Sequence, residues 1–284
     1  MENAARDIDH ASLTARDFSR LSRFIYDTCG IKMPDVKKTM LEARLQKRLR
    51  GLGMRSFTDY CDYLFSSAGL DNELVQMLDM VTTNKTDFFR EPDHFDYLTQ
   101  RVLPEWCARH PGARLAIWSA GCSSGEEPYT LAMVLSEFAL SYPGFDFQIL
   151  ATDISTRVLE KAKAAIYHES LVEPVPLPLK KKYLLRSKDR SSGVVRVVPE
   201  LREKVRFRRL NFMDEDFGMR EQLDIIFCRN VIIYFDRPTQ ERLLNRFHRQ
   251  MKPGSFIFMG HSETLSGLNV PLTSVFPTVY RKLG

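Results

Sequence analysis

The sequence predicts an α/β protein with a mostly parallel sheet, an all-α N-terminal domain and a small inserted β-subdomain. Apolar residues recur at helical spacing before residue 84, and short apolar runs alternate with amphipathic segments after it. Between Ile166 and Lys204, about forty residues separate one predicted helix from the next strand, where connections of roughly 2 to 6 residues are usual. Alternating strands and helices favour a parallel sheet covered by helices, and the long interval favours an insertion.

The N-terminal domain, residues 1–82, is predicted to contain four helices. Thr14 to Asp17 resembles a capping box with Asp in the Glu position, and apolar residues follow at helical spacing. The second helix, over 36–51, has leucines on one face and ends at Gly51 to Gly53. The last two predicted helices are Phe57–Leu64 and Asn72–Val81.

Positive charge is concentrated on the second helix. The formal net charge of the chain is +5, and the stretch from Lys32 to Arg55 carries eight basic residues against two acidic ones. A basic helical face is most often only solvated, but it also suits docking to an acidic partner, where it steers the encounter and fixes the register. The candidate docking residues are Arg44, Lys47, Arg48 and Arg50.

Residues 93–284 carry the alternating pattern, and residues 83–92 form a linker that we expect to contribute to a ligand site. The predicted strands are Leu115–Ala120, Phe147–Thr152, Val205–Asn211, Leu223–Arg229, Ser255–His261 and Val279–Lys282. The predicted helices are Asp93–His110, Tyr129–Leu140, Ser155–Ala165 and Thr239–Met251. Within the insertion, about 170–204, Lys180–Leu185 and Gly193–Val198 are predicted to pair as strands, because the second is too β-prone for the alternative, a disordered loop.

The most informative stretch is LAIWSAGCSSGEEPY, from Leu115 to Tyr129. An apolar run suited to a buried strand stops at Gly121 and Gly125, where a backbone without Cβ allows a ligand to come close, and a helix follows. The next apolar run ends at Asp153, where a carboxylate at a strand end can accept from a ribose. These features predict a cradle for an adenosine-type cofactor, with an ordinary strand-to-helix turn as the alternative.

Two acidic residues indicate which adenosine ligand suits this turn. The turn lacks the G-x-G-x-x-G pattern of dinucleotide sites and the Lys-Ser/Thr pair of a P-loop. Glu126 and Glu127 instead place negative charge where a phosphate would lie, which disfavours ATP and NAD. S-adenosylmethionine, a cationic sulfonium without phosphate, fits this pattern.

Composition excludes several other classes of protein. Apolar residues make up 44% of the chain, and no apolar stretch approaches the roughly 18 residues of a membrane span. Met1 to Ala11 has no apolar segment of a secretory signal, so we expect a cytoplasmic protein without membrane insertion. Five scattered cysteines without a C-x-x-C pair indicate free thiols, and six dispersed histidines give no zinc pattern, so we expect no metal.

Five separate motifs, in order along the chain, resemble one family. They are TTNKTDFFRE from Thr82 to Glu91, GCSSGEEPYT from Gly121 to Thr130, ATDI from Ala151 to Ile154, IFCRNVIIYF from Ile226 to Phe235, and GHSE from Gly260 to Glu263. The resemblance is to the CheR family of chemotaxis-receptor glutamate O-methyltransferases, and it covers essentially the whole chain. It implies the Rossmann-like fold of class I S-adenosylmethionine-dependent methyltransferases, with S-adenosylhomocysteine as the product.

The resemblance also implies the residues of the site. The family's S-adenosylmethionine contacts correspond to Asn84, Thr86, Arg90, Glu127, Asp153, Asn211, Phe212, Arg229 and Asn230. In this interpretation Arg90 pairs with the methionine carboxylate, Glu127 meets the ammonium, and Asp153 accepts from both ribose hydroxyls. Asn211 and Phe212 suit the edge and the face of the adenine.

The reaction that the resemblance implies needs no general base. A glutamate with a reference pKa near 4.3 is ionised at neutral pH and can attack the sulfonium methyl directly, so the rate depends on alignment and on removal of water. Arg90, Arg229 and Tyr234 are the candidates that place the substrate carboxylate, with a structural ion pair as the alternative role for Arg229. Cys228 and His261 have no evident partner, so we expect no covalent mechanism.

The implied partners are methyl-accepting chemotaxis receptors. Their acidic helical bundle would meet the basic helix, and in some family members a C-terminal receptor peptide binds the inserted subdomain as an added strand. A nucleic-acid methyltransferase is the first rival, but Arg229 to Val231 stands where amino-methylases carry an Asp/Asn-Pro-Pro-Tyr/Phe element, and the basic segment lacks interleaved aromatics. A non-catalytic cofactor-binding adaptor is the second rival. We expect a monomer that does not bind nucleic acid.

Overall fold

The computed structural model describes residues 11–283, apart from the side chain of Arg190, so the first ten residues of the predicted N-terminal domain lie outside the described range. Within that range the domain contains helices α1 Ala15–Cys29, α2 Lys38–Leu52, α3 Phe57–Leu64, α4 Ser67–Asn72 and α5 Leu74–Val81. Four of them agree with the predicted helices. The additional helix, α4, has only six residues, SAGLDN, which are too few to show a helical period.

Side-chain caps and glycines set the ends of these helices. Thr14 accepts a hydrogen bond from the Asp17 N–H at the start of α1, as the capping-box pattern predicts. Gly30 and Gly53 end α1 and α2 in the left-handed conformation, with φ of 73° and 67°. Every fourth residue of α2 is a buried leucine, so one face of this helix packs in the core and the other positions carry its basic residues.

The next segment is a helix that the sequence predicts over Asp93–His110. It is divided into α6 Asp93–Tyr97, a π-helical turn Leu98–Val102 and α7 Leu103–Arg109. Pro104 has no N–H to donate to the preceding turn, which favours a wider turn at this point. In agreement with the predicted alternation, the chain continues with β1 Arg114–Ala120, α8 Glu126–Ser141, β2 Asp146–Asp153 and α9 Thr156–Ala164.

The insertion begins at Ile166, before the predicted start, and forms a three-stranded antiparallel sheet. Its elements are β3 Ile166–His168, α10 Leu177–Tyr183, β4 Leu184–Arg186, β5 Val194–Val197 and α11 Pro199–Glu203. The strand order is β3-β5-β4, so the predicted pairing of strands around the Ser/Gly turn is confirmed for β4 and β5. The strand prediction is wrong for Lys180–Tyr183, which are helical because Pro176 and Pro178 start a helix ahead of them.

The last part of the chain completes the large sheet. Its elements are β6 Val205–Arg209, β7 Leu223–Cys228, α12 Arg237–Gln250, β8 Met251–Met259, β9 Thr273–Phe276 and β10 Val279–Arg281. β8 begins at Met251 rather than at Ser255, and β9 is an additional edge strand. Among the described residues, no helix combines the length and the apolar character that crossing a membrane requires.

The large sheet has seven strands in the order β6-β2-β1-β7-β8-β10-β9. The first five are parallel, and β10 is antiparallel to both of its neighbours. The direction of the chain order reverses at β1, because β2 lies on one side of it and β7 on the other. Open α/β sheets bind ligands at the carboxyl ends of the strands beside such a reversal, where Asp153 ends β2 and Arg229 follows β7.

The N-terminal domain packs against this carboxyl edge of the sheet. Asp79, in α5, accepts a hydrogen bond of 2.7 Å from the Thr156 hydroxyl at the start of α9. Asn211, which follows β6, donates a hydrogen bond of 2.6 Å to the Thr28 carbonyl in α1. These contacts fix the helical domain beside the strand ends, where it forms one wall of a cleft.

Candidate active site

The cleft lies between the N-terminal domain and the carboxyl ends of β1, β2 and β7. It encloses about 1030 Å³ of space, which includes solvent at its mouth. All the residues predicted to contact the cofactor or the substrate carboxylate line it, namely Asn84, Thr86, Arg90, Glu127, Asp153, Asn211, Phe212, Arg229, Asn230 and Tyr234. Four of the five sequence motifs therefore meet in one place. The fifth motif, from Gly260 to Glu263, does not line the cleft.

The N-terminal domain supplies lining residues that the sequence does not predict. They are Cys29, Ile31, Met33, Lys37 and Met40, at the end of α1, in the connection and in α2. Lys37 is half-buried, and its ammonium lies 5.8 Å from the centre of the Tyr234 ring. A wall formed by a separate domain leaves no local pattern at these positions, and the only available signal is that Lys37 adjoins the basic helix.

The turn after β1 has the shape that close approach of a ligand requires. Gly121 has φ of 85°, and a Cβ at this position would lie 2.5 Å from Val231 Cγ2, so glycine is needed. The N–H groups of Gly121 and Cys122 both donate to the Thr152 carbonyl, at 2.8 and 2.9 Å, which ties the turn to β2. Gly125, with φ of 99°, precedes α8. The backbone freedom that the sequence predicts for the two glycines is confirmed.

Asp153 ends β2 beside this turn, and only 7% of its surface is exposed. Its Oδ2 accepts from the Ser123 N–H and its Oδ1 from the Ser155 N–H, both at 2.9 Å. Burial raises the pKa of this carboxyl, and the N–H groups of Ser155 and Ser123 offset part of the effect. Each carboxylate oxygen keeps a second lone pair, so Asp153 is fixed in orientation and can still accept from a diol.

The two glutamates at the start of α8 have different surroundings. Glu126 accepts from the Ser124 hydroxyl at 2.8 Å, burial raises its pKa, and it does not line the cleft. Glu127 does line the cleft, and it accepts from the Ser119 hydroxyl and from Arg229 Nε, both at 2.8 Å. Of the two glutamates that the sequence places toward the ligand, only Glu127 lines the cleft, and its contact with the ligand stays a prediction.

Arg229, directly after β7, is buried and bonded to protein groups. Its Nε donates to Glu127, and its Nη1 donates to the Arg90 carbonyl at 2.7 Å and to His94 Nδ1 at 3.3 Å. Its guanidinium also lies over the Phe95 ring, 5.3 Å from the ring centre. A buried arginine needs such partners. These contacts favour the ion-pair alternative, in which Arg229 holds Glu127 and Arg90, over direct placement of the substrate carboxylate.

The segment that carries Arg90 has an unusual backbone. Phe89 and Glu91 have positive φ, 53° and 55°, which side chains other than glycine rarely adopt. The Phe89 N–H donates to the Thr130 hydroxyl at 3.2 Å, and Arg229 holds the Arg90 carbonyl. Such strain persists only where surrounding contacts impose it. Here the contacts place the partly exposed Arg90 side chain at the cleft.

Glu91, His94 and His261 form a cluster beside this segment, with ligand atoms all within 4.8 Å of one another. Arg229 Nη1 lies 3.6 Å from Glu91 Oε2 and 3.3 Å from His94 Nδ1, so a guanidinium already supplies positive charge there. Burial and the Arg229 charge lower the pKa of His94 to about 4, and its Nε2 bonds to the Thr278 hydroxyl at 2.9 Å. We interpret the cluster as part of the Arg229 network, and the expectation of no metal stays a prediction.

Asn211 and Phe212 line the cleft after β6, and both side chains contact other parts of the protein. The Asn211 amide donates to Thr28, as described, and its Oδ1 accepts from the Met213 N–H at 3.0 Å. The Phe212 ring meets the Trp118 ring edge-on, with centres 6.1 Å apart. Asn211 thus joins the two walls of the cleft, and the adenine contacts assigned to these residues stay predictions.

The candidate docking residues on α2 divide into two pairs. Arg44 donates to the Val81 carbonyl at the end of α5, and Arg48 donates from Nε to Glu73 at 2.8 Å. Both side chains are half-buried. The exposed members of the set are Lys47 and Arg50. The charge count of the sequence therefore overstates the positive surface that α2 presents to a partner.

The cleft fits S-adenosylmethionine in three respects. Glu127 and Asp153 suit an ammonium and a ribose diol. Asn230 Oδ1 is buried without a hydrogen-bond partner, so it requires a donor such as an amino group. The Gly121 turn admits a ligand where a Cβ would not fit. Together with the mostly parallel sheet that reverses at β1, these three features indicate the class of S-adenosylmethionine-dependent methyltransferases.

Comparison with known proteins identifies the family. The family described as "CheR methyltransferase, SAM binding domain" matches residues 84–280, and "CheR methyltransferase, all-alpha domain" matches residues 16–82. The chain belongs to the CheR methyltransferase family.

Relatives match nearly the whole chain. It is 41% identical over 275 residues to the chemotaxis protein methyltransferase of Borreliella burgdorferi, with 95% of each chain covered. It is 40% identical over 267 residues to chemotaxis protein methyltransferase 2 of Pseudomonas aeruginosa, with 94% of this chain and 93% of that one covered. It is 39% identical over 273 residues to the chemotaxis protein methyltransferase of Escherichia coli, with 96% and 92% covered.

These matches confirm three predictions from the sequence. They are the resemblance to the CheR family, the class I methyltransferase fold with an all-α N-terminal domain, and S-adenosylmethionine as the cofactor. The chain is therefore an S-adenosylmethionine-dependent methyltransferase. The roles of individual site residues are a separate matter, and they stay predictions.

Proposed function

We propose that this enzyme transfers the methyl group of S-adenosylmethionine to glutamate side-chain carboxylates of chemotaxis receptors, producing glutamate methyl esters and S-adenosylhomocysteine. The observation that carries the proposal is that residues from four separated motifs and from the all-α domain line one cleft. The chemotaxis protein methyltransferases among the relatives supply the class of acceptor. Since the acceptor is the cytoplasmic domain of a receptor, the reaction takes place in the cytoplasm.

Three charged side chains hold the cofactor in this proposal. Asp153, oriented by two backbone N–H groups, accepts from the ribose hydroxyls. Glu127, held by Ser119 and Arg229, meets the ammonium. Arg90 forms a bidentate pair with the methionine carboxylate. The remaining contacts are assigned to Asn84, Thr86, Asn211, Phe212, Arg229 and Asn230.

The chemistry requires no proton transfer. The bound cofactor supplies a methyl group activated by its sulfonium. A receptor glutamate is ionised at neutral pH, so its oxygen forms the new O–C bond as the S–C bond breaks. Two groups near the cleft that act as bases in other enzymes are unsuitable here. Burial and Arg229 lower the pKa of His94 to about 4, and burial raises the pKa of Cys29 to about 11.

The substrate carboxylate needs a favourable position at the mouth of the cleft. Because Arg229 is bonded to Glu127 and the Arg90 carbonyl, we assign placement of the carboxylate mainly to Tyr234 and Arg90. Lys37, beside the Tyr234 ring, adds positive charge that attracts the carboxylate. A cation several ångströms away attracts the nucleophile without the direct hydrogen bond that would weaken it. Alignment and removal of water then supply the rate.

The acceptor in this proposal is the acidic helical bundle of the receptor. α2 belongs to the domain that forms a wall of the cleft, so its exposed Lys47 and Arg50 are suited to steer that bundle toward the mouth. In the insertion, β3 and β4 are the edge strands to which a C-terminal receptor peptide would add. We further propose that the enzyme acts as a monomer and does not bind nucleic acid, since α2 offers no aromatic side chain for stacking.

A labelling experiment tests the proposed acceptor. The enzyme is incubated with methyl-labelled S-adenosylmethionine and either a receptor cytoplasmic fragment or nucleic acid, and the products are treated with mild alkali. We expect label on the receptor fragment alone, released as methanol because methyl esters are alkali-labile, and lost when the receptor glutamates are replaced by alanine. Label on nucleic acid, alkali-stable label on the receptor, or no label despite cofactor binding would contradict the proposal.

Asp153→Ala serves as the control for the cofactor in this experiment. The change removes a charged acceptor that serves two ribose hydroxyls, each hydrogen bond to a charged group being worth roughly 1.5 to 3 kcal/mol. We therefore expect kcat/KM for S-adenosylmethionine to fall by about 100-fold or more, and calorimetry to show the same loss of affinity. Unchanged affinity would remove Asp153 from the site.

A further inference from the structure

Glu263 belongs to the one sequence motif that does not line the cleft, yet only 2% of its surface is exposed. Four backbone N–H groups donate to its carboxylate. Oε1 accepts from Val231 and Ile232, both at 2.8 Å, and Oε2 accepts from Asn230 at 2.8 Å and from Gly260 at 2.7 Å. Three consecutive N–H groups of the loop after β7 therefore point at one carboxylate, as in the backbone nests that bind anions.

We propose that Glu263 is a positioning residue for cofactor binding, because it holds the loop Asn230–Ile232 in the conformation that forms one side of the cleft. Asn230 and Val231 line the cleft. Asn230 has φ of 59°, which is uncommon outside glycine and must be imposed by its surroundings. Without the carboxylate, three N–H groups at this turn would lose their acceptor, and nothing would compensate for the strain.

The loop has little room to take another position. Val231 packs against Gly121 so closely that a Cβ on that glycine would lie 2.5 Å from Val231 Cγ2. On the other side, a Cβ on Gly260 would lie 2.6 Å from Asn230 Nδ2. A shift of the loop therefore moves Val231 into the turn after β1 or moves Asn230 away from the ligand. By holding this loop, Glu263 thus affects both the loop after β7 and the turn after β1, although Glu263 itself does not line the cleft.

Asp224 offers a matched control. It is a buried carboxylate near the start of β7, the strand whose other end leads into the loop that Glu263 holds, and 3% of its surface is exposed. Like Glu263, it does not line the cleft. It accepts from the Ala116 N–H at 2.8 Å and from Lys252 Nζ at 2.9 Å. Asp224→Asn and Glu263→Gln are the same chemical change at a buried carboxylate. If Glu263 only stabilised the fold, both variants would change the affinity for S-adenosylmethionine to the same extent.

Calorimetric titration of S-adenosylmethionine into the two variants separates the roles. In Glu263→Gln, one oxygen becomes an NH₂ group that faces two N–H donors in either orientation of the amide. We expect its Kd to rise at least about 10-fold while the number of sites stays near that of the wild type, because folded molecules bind weakly. We expect Asp224→Asn to keep Kd within about 2-fold. Equal changes of Kd in both variants, or a lower number of sites with unchanged Kd, would overturn the proposal.

The wild-type enzyme gives a second test, which does not depend on folding of a variant. We expect the amides of Asn230, Val231 and Ile232 to exchange slowly with solvent in the absence of cofactor, at rates close to those of β7, since Glu263 already holds them. Fast exchange that slows only when S-adenosylmethionine binds would show that the cofactor orders the loop. Neither test involves methyl transfer, so both remain valid whatever the methyl acceptor is.

Discussion

Arg229 in the cleft and Arg48 in the N-terminal domain have the same kind of partner in different surroundings. Arg229 donates to Glu127 and Arg48 donates to Glu73, each from Nε at 2.8 Å. Only 2% of the Arg229 side chain is exposed, and its pair lines the cleft. For Arg48 the exposed fraction is 27%, and its pair lies outside the cleft. The sequence alone assigns both arginines to binding, one to the cofactor and one to a partner.

The difference shows what each pair stabilises. The Arg229 pair also holds the Arg90 carbonyl, so its loss would change the lining of the cleft. The Arg48 pair is joined by the Tyr60 hydroxyl, which donates to Glu73 at 3.0 Å, and it connects helices of the same domain. A motif arginine near a ligand can thus act by fixing the residues that touch it, and a basic residue on a docking helix can act by holding that helix in place.

The largest expected effect concerns the Arg48 pair. Arg48→Ala leaves Glu73, which is 1% exposed, buried without its cation. We expect the free energy of unfolding to fall by about 3 kcal/mol, the low end for a broken buried pair, because Arg48 itself is partly solvated. Urea denaturation measures the loss, with Lys47→Ala on the same helix as the control, expected within about 0.5 kcal/mol of wild type. Similar losses in both variants would contradict a structural role for Arg48.

Local patterns explain how much of the fold could be predicted. The strands beside the cleft are continuous apolar runs that end at Gly121 or Asp153, which is the expected pattern for buried parallel strands. β9 could not be predicted because its residues are largely exposed and it needs only to pair with β10. The helix at Lys180–Tyr183 could not be predicted because three lysines and a tyrosine fit a strand as well as a helix.

The site could be predicted as a set of residues but not as a set of contacts. The motif residues share one cleft because the ends of parallel strands meet at one edge. That Lys37 lies beside Tyr234 depends on how two domains pack, which no local pattern records. In the same way, Glu263 accepts from the loop after β7 only because the ends of β7 and β8 are neighbours.

The second prediction uses pH to test the burial of His94 in the Arg229 network. Burial and the Arg229 charge lower the pKa of His94 from 6.5 to about 4, with Glu91 and His261 as its other charged or titratable neighbours. Between these pKa values the unfolded chain binds more protons than the folded one, so the free energy of unfolding falls as the pH drops from about 6.5 toward 4. We expect a loss of about 2 kcal/mol in unfolding free energy between pH 7.5 and pH 5.

Cofactor affinity should change little between pH 7.5 and pH 5, because His94 in the folded protein stays mostly neutral until the pH approaches 4 and still accepts from Arg229 Nη1. Denaturation curves at both pH values measure the stability, and calorimetry measures the affinity. His94→Gln removes the titrating group and should flatten the difference in stability. His248→Gln is the control, since burial also lowers the pKa of His248 but this residue lies outside the cleft. A pH dependence that His248→Gln abolishes and His94→Gln preserves would contradict this interpretation.

The smallest expected effect tests whether α2 docks the acceptor at all. Lys47→Glu reverses an exposed charge without breaking a buried pair, whereas a change at Arg48 would mix docking with folding. We expect KM for a receptor fragment to rise about 5-fold at low ionic strength, equivalent to about 1 kcal/mol, with unchanged Kd for S-adenosylmethionine.

The salt dependence of KM shows whether such a rise comes from docking. The Debye length falls from about 10 Å at 0.1 M salt to about 3 Å at 1 M, so an effect that arises from steering between exposed charges must shrink as salt is added. KM of Lys47→Glu should then approach that of wild type measured at the same salt concentration. A rise that persists at high salt, or that is accompanied by weaker cofactor binding, would show that Lys47 acts through the fold, as Arg48 does. In that case the contrast between a docking surface on α2 and a buried framework beneath it would not hold.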